Sequence, residues 1–140
     1  RDMGVINSKG IIGLVDQVGG NHATVISILN SISKINAQLK NTNHFGTLIW
    51  NGKSPNVVQL IDLEKVAQFK ENDTIITGGN STLFPKGIPI GTVKDFKLNT
   101  TENLYEVNVQ LFNDMTNLEH VFIIENLHRE EIDNLLAPTN

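Results

Sequence analysis

The chain has no cysteine among its 140 residues. That absence removes disulfides, thiolate catalysis and cysteine-based zinc sites at once, and it suits oxidising and reducing compartments equally. Concentrated positive charge is missing too: 11 Lys and Arg stand against 15 Asp and Glu, for a formal net charge of −4. Such a surface repels a phosphate backbone, and no stretch gathers a basic footprint, so nucleic acid is not expected as a partner. Long apolar runs are also lacking. The longest, such as Val121-Phe122-Ile123-Ile124, fall far short of the ~20 residues that cross a bilayer as a helix. No basic-then-apolar leader opens the chain. Its start at Arg1-Asp2-Met3-Gly4 reads as a cut inside a longer protein, with any membrane anchor lying upstream.

What is present is an ordinary globular balance, 39% hydrophobic and 19% charged, in a length that can bury roughly two-thirds of its unfolded surface. The apolar residues alternate in short bursts punctuated by Gly, Asn and Asp, which is the signature of strands. Ile11–Val18 runs into Gly19-Gly20-Asn21. Ala23–Leu29 comes next, rich in β-branched residues whose stiff χ1 suits a pleated surface. Ile35, Ala37 and Leu39 alternate with polar neighbours. The spacing Ile28, Ile32, Ile35, Leu39 also fits a helix, but Ser, Asn and β-branched residues weaken that alternative.

Phe45–Trp50 and Asn56–Ile61 flank Asn51-Gly52, a pair that tolerates the positive φ angles of a hairpin turn, with Lys53-Ser54-Pro55 lengthening the loop. Thr74–Thr77 leads into Gly78-Gly79. In Ile90–Leu98, strict alternation sends Ile90, Thr92, Lys94 and Phe96 one way and Val93 and Asp95 the other. Tyr105, Val107, Val109 and Leu111 mark a cleaner buried face, and Glu119–Glu125 gives a last strand. Beyond Asn126, a good N-cap, Leu127, Ile132, Leu135 and Leu136 carry an amphipathic helix that stops at Pro138. Roughly ten short strands without a βαβ rhythm predict an all-β fold of small antiparallel barrels or a sandwich. The connector 62–70 is the expected boundary, dividing a first lobe, 1–61, from a second, 62–126, with a C-terminal helix or tail over 127–140.

No reactive constellation assembles in the sequence. His22, His44, His120 and His128 pair with no second ligand type at site-like spacing, so they read as exposed loop or surface residues, and no metal or cofactor is expected. Ser81 comes after a strand and two glycines, yet it lacks the flanking glycines and following helix of a nucleophile elbow, and Pro85 opposes such a helix. A barrel protease would need a buried His–Asp pair to activate Ser81. His22 and His44 precede it in the required order, but no local signature supports either. The scattered carboxylates mark no catalytic pair. Trp50 and Phe45 sit in one hairpin as either a binding platform or, by the commoner use, core packing.

The segment 72–93 stands apart: a strand, a tight turn, a loop with Phe84 as an apolar plug, two prolines, then another strand. It resembles the most recognisable stretch of the MreC family of rod-shape-determining proteins. Asp73, Thr77, Gly79, Phe84, Pro85, Gly87, Gly91 and Val93 match that pattern. Asn72, Gly78 and Ile90 depart from its usual Gly, Ser and Val. Gly4-Val5-Ile6 with Gly10–Val15 resembles the family's opening strands. Gly46, Trp50 and Gly52 resemble its Gly-x-Leu-x-Trp-x-Gly hairpin, in the manner of its Bacteroidetes branch. The likeness spans residues 4 to 126.

The resemblance implies two small barrels of the trypsin-like type without a triad, on the periplasmic face of the inner membrane, preceded by a membrane helix and a coiled coil. It implies a non-enzymatic scaffold of cell-wall elongation that associates with itself and with MreB, MreD, RodA and a penicillin-binding transpeptidase. In the family, one barrel is sometimes completed by strands upstream of the other. The alternative drawn from the residues alone is a degenerate or unrecognised barrel hydrolase using Ser81 with a histidine.

Overall fold

The computed structural model describes residues 3–20, 22–30, 34–81, 83–118 and 120–124. The expected tail helix over 127–140, with His128, lies outside the described residues, as does the side chain of His22. Among the described residues every regular element is a strand: β1 (Gly4–Asn7), β2 (Gly10–Gly19), β3 (His22–Ser27), β4 (Ile35–Leu39), β5 (Phe45–Ile49), β6 (Val57–Glu64), β7 (Thr74–Thr77), β8 (Pro89–Asn99), β9 (Leu104–Leu111) and β10 (Phe122–Ile124). The all-β expectation holds.

Six of these strands close into a barrel in the order β4-β5-β6-β9-β8-β7, every neighbouring pair antiparallel. Closure comes from β7 pairing back onto β4, with Ala37 opposite Thr77 and Leu39 opposite Ile75. The other four form a sheet in the order β10-β1-β2-β3. The expected division at residue 62 is therefore not how the strands group. β4, β5 and β6 lie before or across that point, and they pair with β7 and β9 beyond it, so the barrel runs from residue 35 to 111. The sheet in turn is completed by β10 from the far end of the described chain. Among the described residues this four-stranded sheet stands in place of a second barrel. Periodicity identifies strands but carries no information about which distant strand completes a sheet.

The interior arises from period-two alternation. Val58 and Leu60 on β6 and Val107 and Val109 on β9 point inward and are fully buried, joined by Leu39, Leu63, Ile75 and Phe84 in one cluster. Alternation fails on β8. Ile90 and Val93 are both buried although their positions have opposite parity, because a bulge opposite the β7 partners Ile75 and Ile76 falls at Ile90; a second bulge follows between Val93 and Asp95. Each bulge inserts an unpaired residue and flips the phase of the strand beyond it. Phe96 is consequently paired with Val107.

The sheet lies against the barrel. Ile11 and Ile28 belong to the barrel's own core cluster, and Ile6 and Ile124 pack against it. On the opposite face Val5, Ile12 and Val15 form a smaller cluster covered by Met3, Met115 and Leu118.

Candidate docking surface

Closing the barrel gives each of its six strands a neighbour on both sides over at least part of its length. Among the described residues the open edges are β10 and β3 of the four-stranded sheet and the far half of β8, where residues 95–99 pair with β9 alone. β10 pairs with β1 in the register Ile6–Phe122, Val5–Ile123 and Gly4–Ile124. Residues opposite one another share a face, so Phe122 lies with Ile6 on the barrel side and Ile123 lies with Val5 on the other. Val121, Phe122 and Ile123 are 46%, 60% and 51% exposed. Three consecutive apolar side chains in water, two of them on an edge strand and one just before it, form the kind of surface that marks a protein contact.

Below Phe122 opens a cleft of about 500 Å³, lined by Asn7, Lys9, Asn113, Asp114 and His120 among others. Its floor is fixed by side-chain amides. Asn7 Nδ2 donates to Asn113 Oδ1 at 2.5 Å, and Asn113 Nδ2 donates to the carbonyl of Ile11 at 3.2 Å. Asn7 Oδ1 accepts from the backbone N–H groups of Lys9 and Gly10, which sets the β1–β2 turn. On the cleft's rim the Asp114 carboxylate accepts from the Thr116 hydroxyl and backbone N–H, and these bonds hold its pKa below the ordinary 3.8, with Lys9 adding a smaller push the same way. A second apolar patch sits where the β8–β9 hairpin extends. Phe69, Phe96 and Tyr105 meet edge to face, with centroids 4.6, 4.9 and 5.8 Å apart, and exposed Val66 lies on the same connector as Phe69. The Lys97–Glu106 ion pair at 3.3 Å lies in the open and contributes little.

The residues singled out by sequence occupy two places. From segment 72–93, Asp73 Oδ2 accepts from the Lys70 N–H at 3.0 Å, and the Asp73 carbonyl accepts from Val93 N at 2.9 Å. Thr77 is fully buried; its hydroxyl donates to the Pro85 carbonyl at 2.7 Å and accepts from Ile88 N at 2.9 Å, so one side chain ties down both ends of the loop. Phe84 has no exposed surface and plugs the barrel core, as the sequence suggested. Gly87 adopts φ +100°, closed to most side chains. Gly91 lies so close to β9 that an added Cβ would stand 2.0 Å from the Gln110 carbonyl oxygen, while Gly79 is exposed.

The hairpin residues Gly46, Trp50 and Gly52 belong to β5 and its turn, with β4 between them and β7. Trp50 packs on the core and donates from Nε1 to the Ser54 carbonyl at 2.7 Å, whereas Phe45 is 51% exposed. Core packing thus describes Trp50 and not Phe45. Ser81 is buried, its Oγ accepting the N–H groups of Leu83 and Phe84. His44 is half-buried beside the Thr42 hydroxyl, and His120 is exposed. The open edge at β10 had a visible signal, the four-residue run Val121–Ile124, but a run of apolar residues does not reveal which of them water reaches. Asn7 and Asn113 carried no signal, being 106 positions apart.

A family model described as the barrel core of the rod shape-determining protein MreC matches residues 1–125. The cell shape-determining protein MreC of Listeria monocytogenes is 28% identical over 127 residues, which are 89% of this chain and 43% of that protein. A solved structure of MreC from the same organism superimposes with a TM-score of 0.82 at 26% identity, over 89% of this chain and 60% of the other. The chain thus spans less than two-thirds of the length of either relative. A further solved structure, a complex between a penicillin-binding protein (PBP2) and MreC from Helicobacter pylori, has the same fold at a TM-score of 0.70 and 15% identity, over 86% and 74% of the two chains.

Proposed function

The chain belongs to the MreC family of rod shape-determining proteins, and from that premise we propose that it is a non-enzymatic scaffold of cell-wall elongation whose β10 edge docks a penicillin-binding transpeptidase. The observation that carries this reading is the open edge itself. Phe122 and Ile123 stand in water on a strand with one neighbour among the described residues, above a cleft roomy enough for inserted side chains. A relative with the same fold is known in complex with such a protein, PBP2.

Other features agree. The Ser81 hydroxyl, the nearest thing to a nucleophile in the sequence, is engaged as an acceptor inside its own loop, which argues for architecture over hydrolysis. Asp73, Thr77, Gly79, Phe84, Pro85, Gly87, Gly91 and Val93 act as turn and loop framework, and Gly46, Trp50 and Gly52 as hairpin framework. A relative at 25% identity is described as the major periplasmic domain of an MreC filament. In this reading the chain works at the periplasmic face of the inner membrane, held there by an upstream membrane helix, and it associates with itself and with RodA, MreD and MreB.

The test is binding of the transpeptidase's periplasmic region, measured by calorimetry against the chain and two variants. Phe122→Asp puts a charge into the centre of the proposed contact and is expected to weaken binding at least about thirtyfold, the scale of losing one central anchor. Phe45→Asp alters an equally exposed side chain on the barrel and is expected to bind as the parent does. Equal affinity of all three proteins would refute the β10 assignment.

A further inference from the structure

Two stretches that resemble the family, far apart in the chain, meet face to face. Gly4 opens β1, and Gly10 opens β2 just past the intervening turn. A Cβ added at Gly4 would lie 2.4 Å from Cε1 of Phe84, and one added at Gly10 would lie 2.2 Å from the carbonyl oxygen of Pro89. Phe84 and Pro89 flank the segment, Pro85 to Ile88, that Thr77 ties down at both ends between β7 and β8. The β1 hairpin is therefore seated at both ends on that loop, with no atom to spare. The partner groups cannot yield: the Phe84 ring is wholly buried in the barrel core, and Pro89 O is backbone. β1 is also the strand that carries β10, and Gly4 itself pairs with Ile124.

We infer that Gly4 and Phe84 are positioning residues, a latch through which the Thr77–Pro89 loop sets the orientation of the four-stranded sheet, and so of the β10 edge, on the barrel. The conformation of a glycine is not the point at Gly4; the missing side chain is. A methyl there must lift β1 off the ring, because a close-packed interior transmits a misfit as a rigid displacement. The inference rests on the docking role given to β10, but the latch is a geometric claim with its own readout.

Because the chain has no cysteine, Thr24→Cys on β3 and Gln68→Cys on the barrel side can carry a unique pair of spin labels at two exposed positions. Pulsed electron resonance then reads the sheet-to-barrel separation, alongside calorimetry with the transpeptidase region. The parent should give one narrow distance. Gly4→Ala should shift or split it and weaken transpeptidase binding about tenfold, the scale of one overpacked contact. Phe84→Leu removes the ring edge that faces Gly4, so the double variant should regain the single narrow distance, and a Gly4→Ala chain that folds poorly should regain folded yield with it. A parent-like distance in Gly4→Ala, or no rescue by Phe84→Leu in either distance or yield, overturns the latch. If the parent itself fails to bind the transpeptidase region, the docking assignment falls while the distance measurement still decides the latch.

Discussion

Replacing Thr77 with valine removes one oxygen and keeps the shape and χ1 stiffness of the side chain. That oxygen serves two partners, the Pro85 carbonyl at 2.7 Å and the Ile88 N–H at 2.9 Å, from a position with no exposed surface. Leaving a buried polar group unpaired costs about 1–3 kcal/mol. Pro85 and Ile88 are half-buried, so water reaches part of what valine abandons, and the low end of that range applies to each. The expected loss is about 2–3 kcal/mol out of a total of roughly 5–15 kcal/mol. Thr77→Ser keeps the hydroxyl and loses one methyl, worth about 1 kcal/mol. Urea unfolding of the three proteins orders them parent, serine, valine, with equal m-values. If valine matched the parent, or serine cost more than valine, the hydroxyl would not be what holds the loop, and Thr77 would be a packing residue only.

Two further outcomes are expected. Gly91→Ala should destabilise by about 3 kcal/mol or more, because its methyl meets the Gln110 backbone and a paired strand cannot retreat, whereas Gly52→Ala, at φ +82° with open space around it, should cost only the roughly 1–2 kcal/mol of an unfavourable backbone conformation; thermal melts of both variants make the comparison. Asp114 has its folded pKa below 3.8 through its bonds to Thr116, so its contribution is present above that value and is lost as pH falls through the lower folded value. The Tm of Asp114→Asn, tracked by circular dichroism down to pH 2, should therefore fall slightly less steeply than the parent's in that acid window and in no other.

The strands were legible because each records its own periodicity locally. The stretches Phe45–Trp50, Thr74–Thr77 and Tyr105–Leu111 each place a strand within a residue or two of its observed bounds, and Asn51-Gly52 marked a hairpin whose Gly52 does take positive φ. The grouping of those strands was not legible. Nothing in β10 records that it will pair with β1, more than a hundred residues away, and nothing in β4 records its return to β7. The bulges on β8 were hidden for a related reason: a bulge is a property of two strands in register, and Ile90–Leu98 alternates perfectly well on its own. Phe84 was recognisable as a plug, since an aromatic between a glycine turn and a proline has few other places to go. That Gly4 is the surface it plugs against could only come from the fold.

The arrangement also says where recognition can occur. Barrel closure pairs most of its six strands on both sides, and the stretch of β8 left open, 95–99, carries the charges of Asp95 and Lys97, so among the described residues the uncharged edges are those of the sheet. Proteins that must keep an edge to themselves shorten it, charge it or put proline in it. β10 is short, but Val121, Phe122 and Ile123 carry neither charge nor proline, and the side chains are more than two-fifths exposed. Leaving that much apolar surface in water is unfavourable by about 25 cal/mol per Å², a penalty that a covering partner removes. A defended edge would cost nothing to build here, since a single lysine at 122 or 123 would face solvent. Its absence is the physical reason for placing the partner on β10, and the tight seat of β1 on the Thr77–Pro89 loop is what keeps that edge in one place to be found.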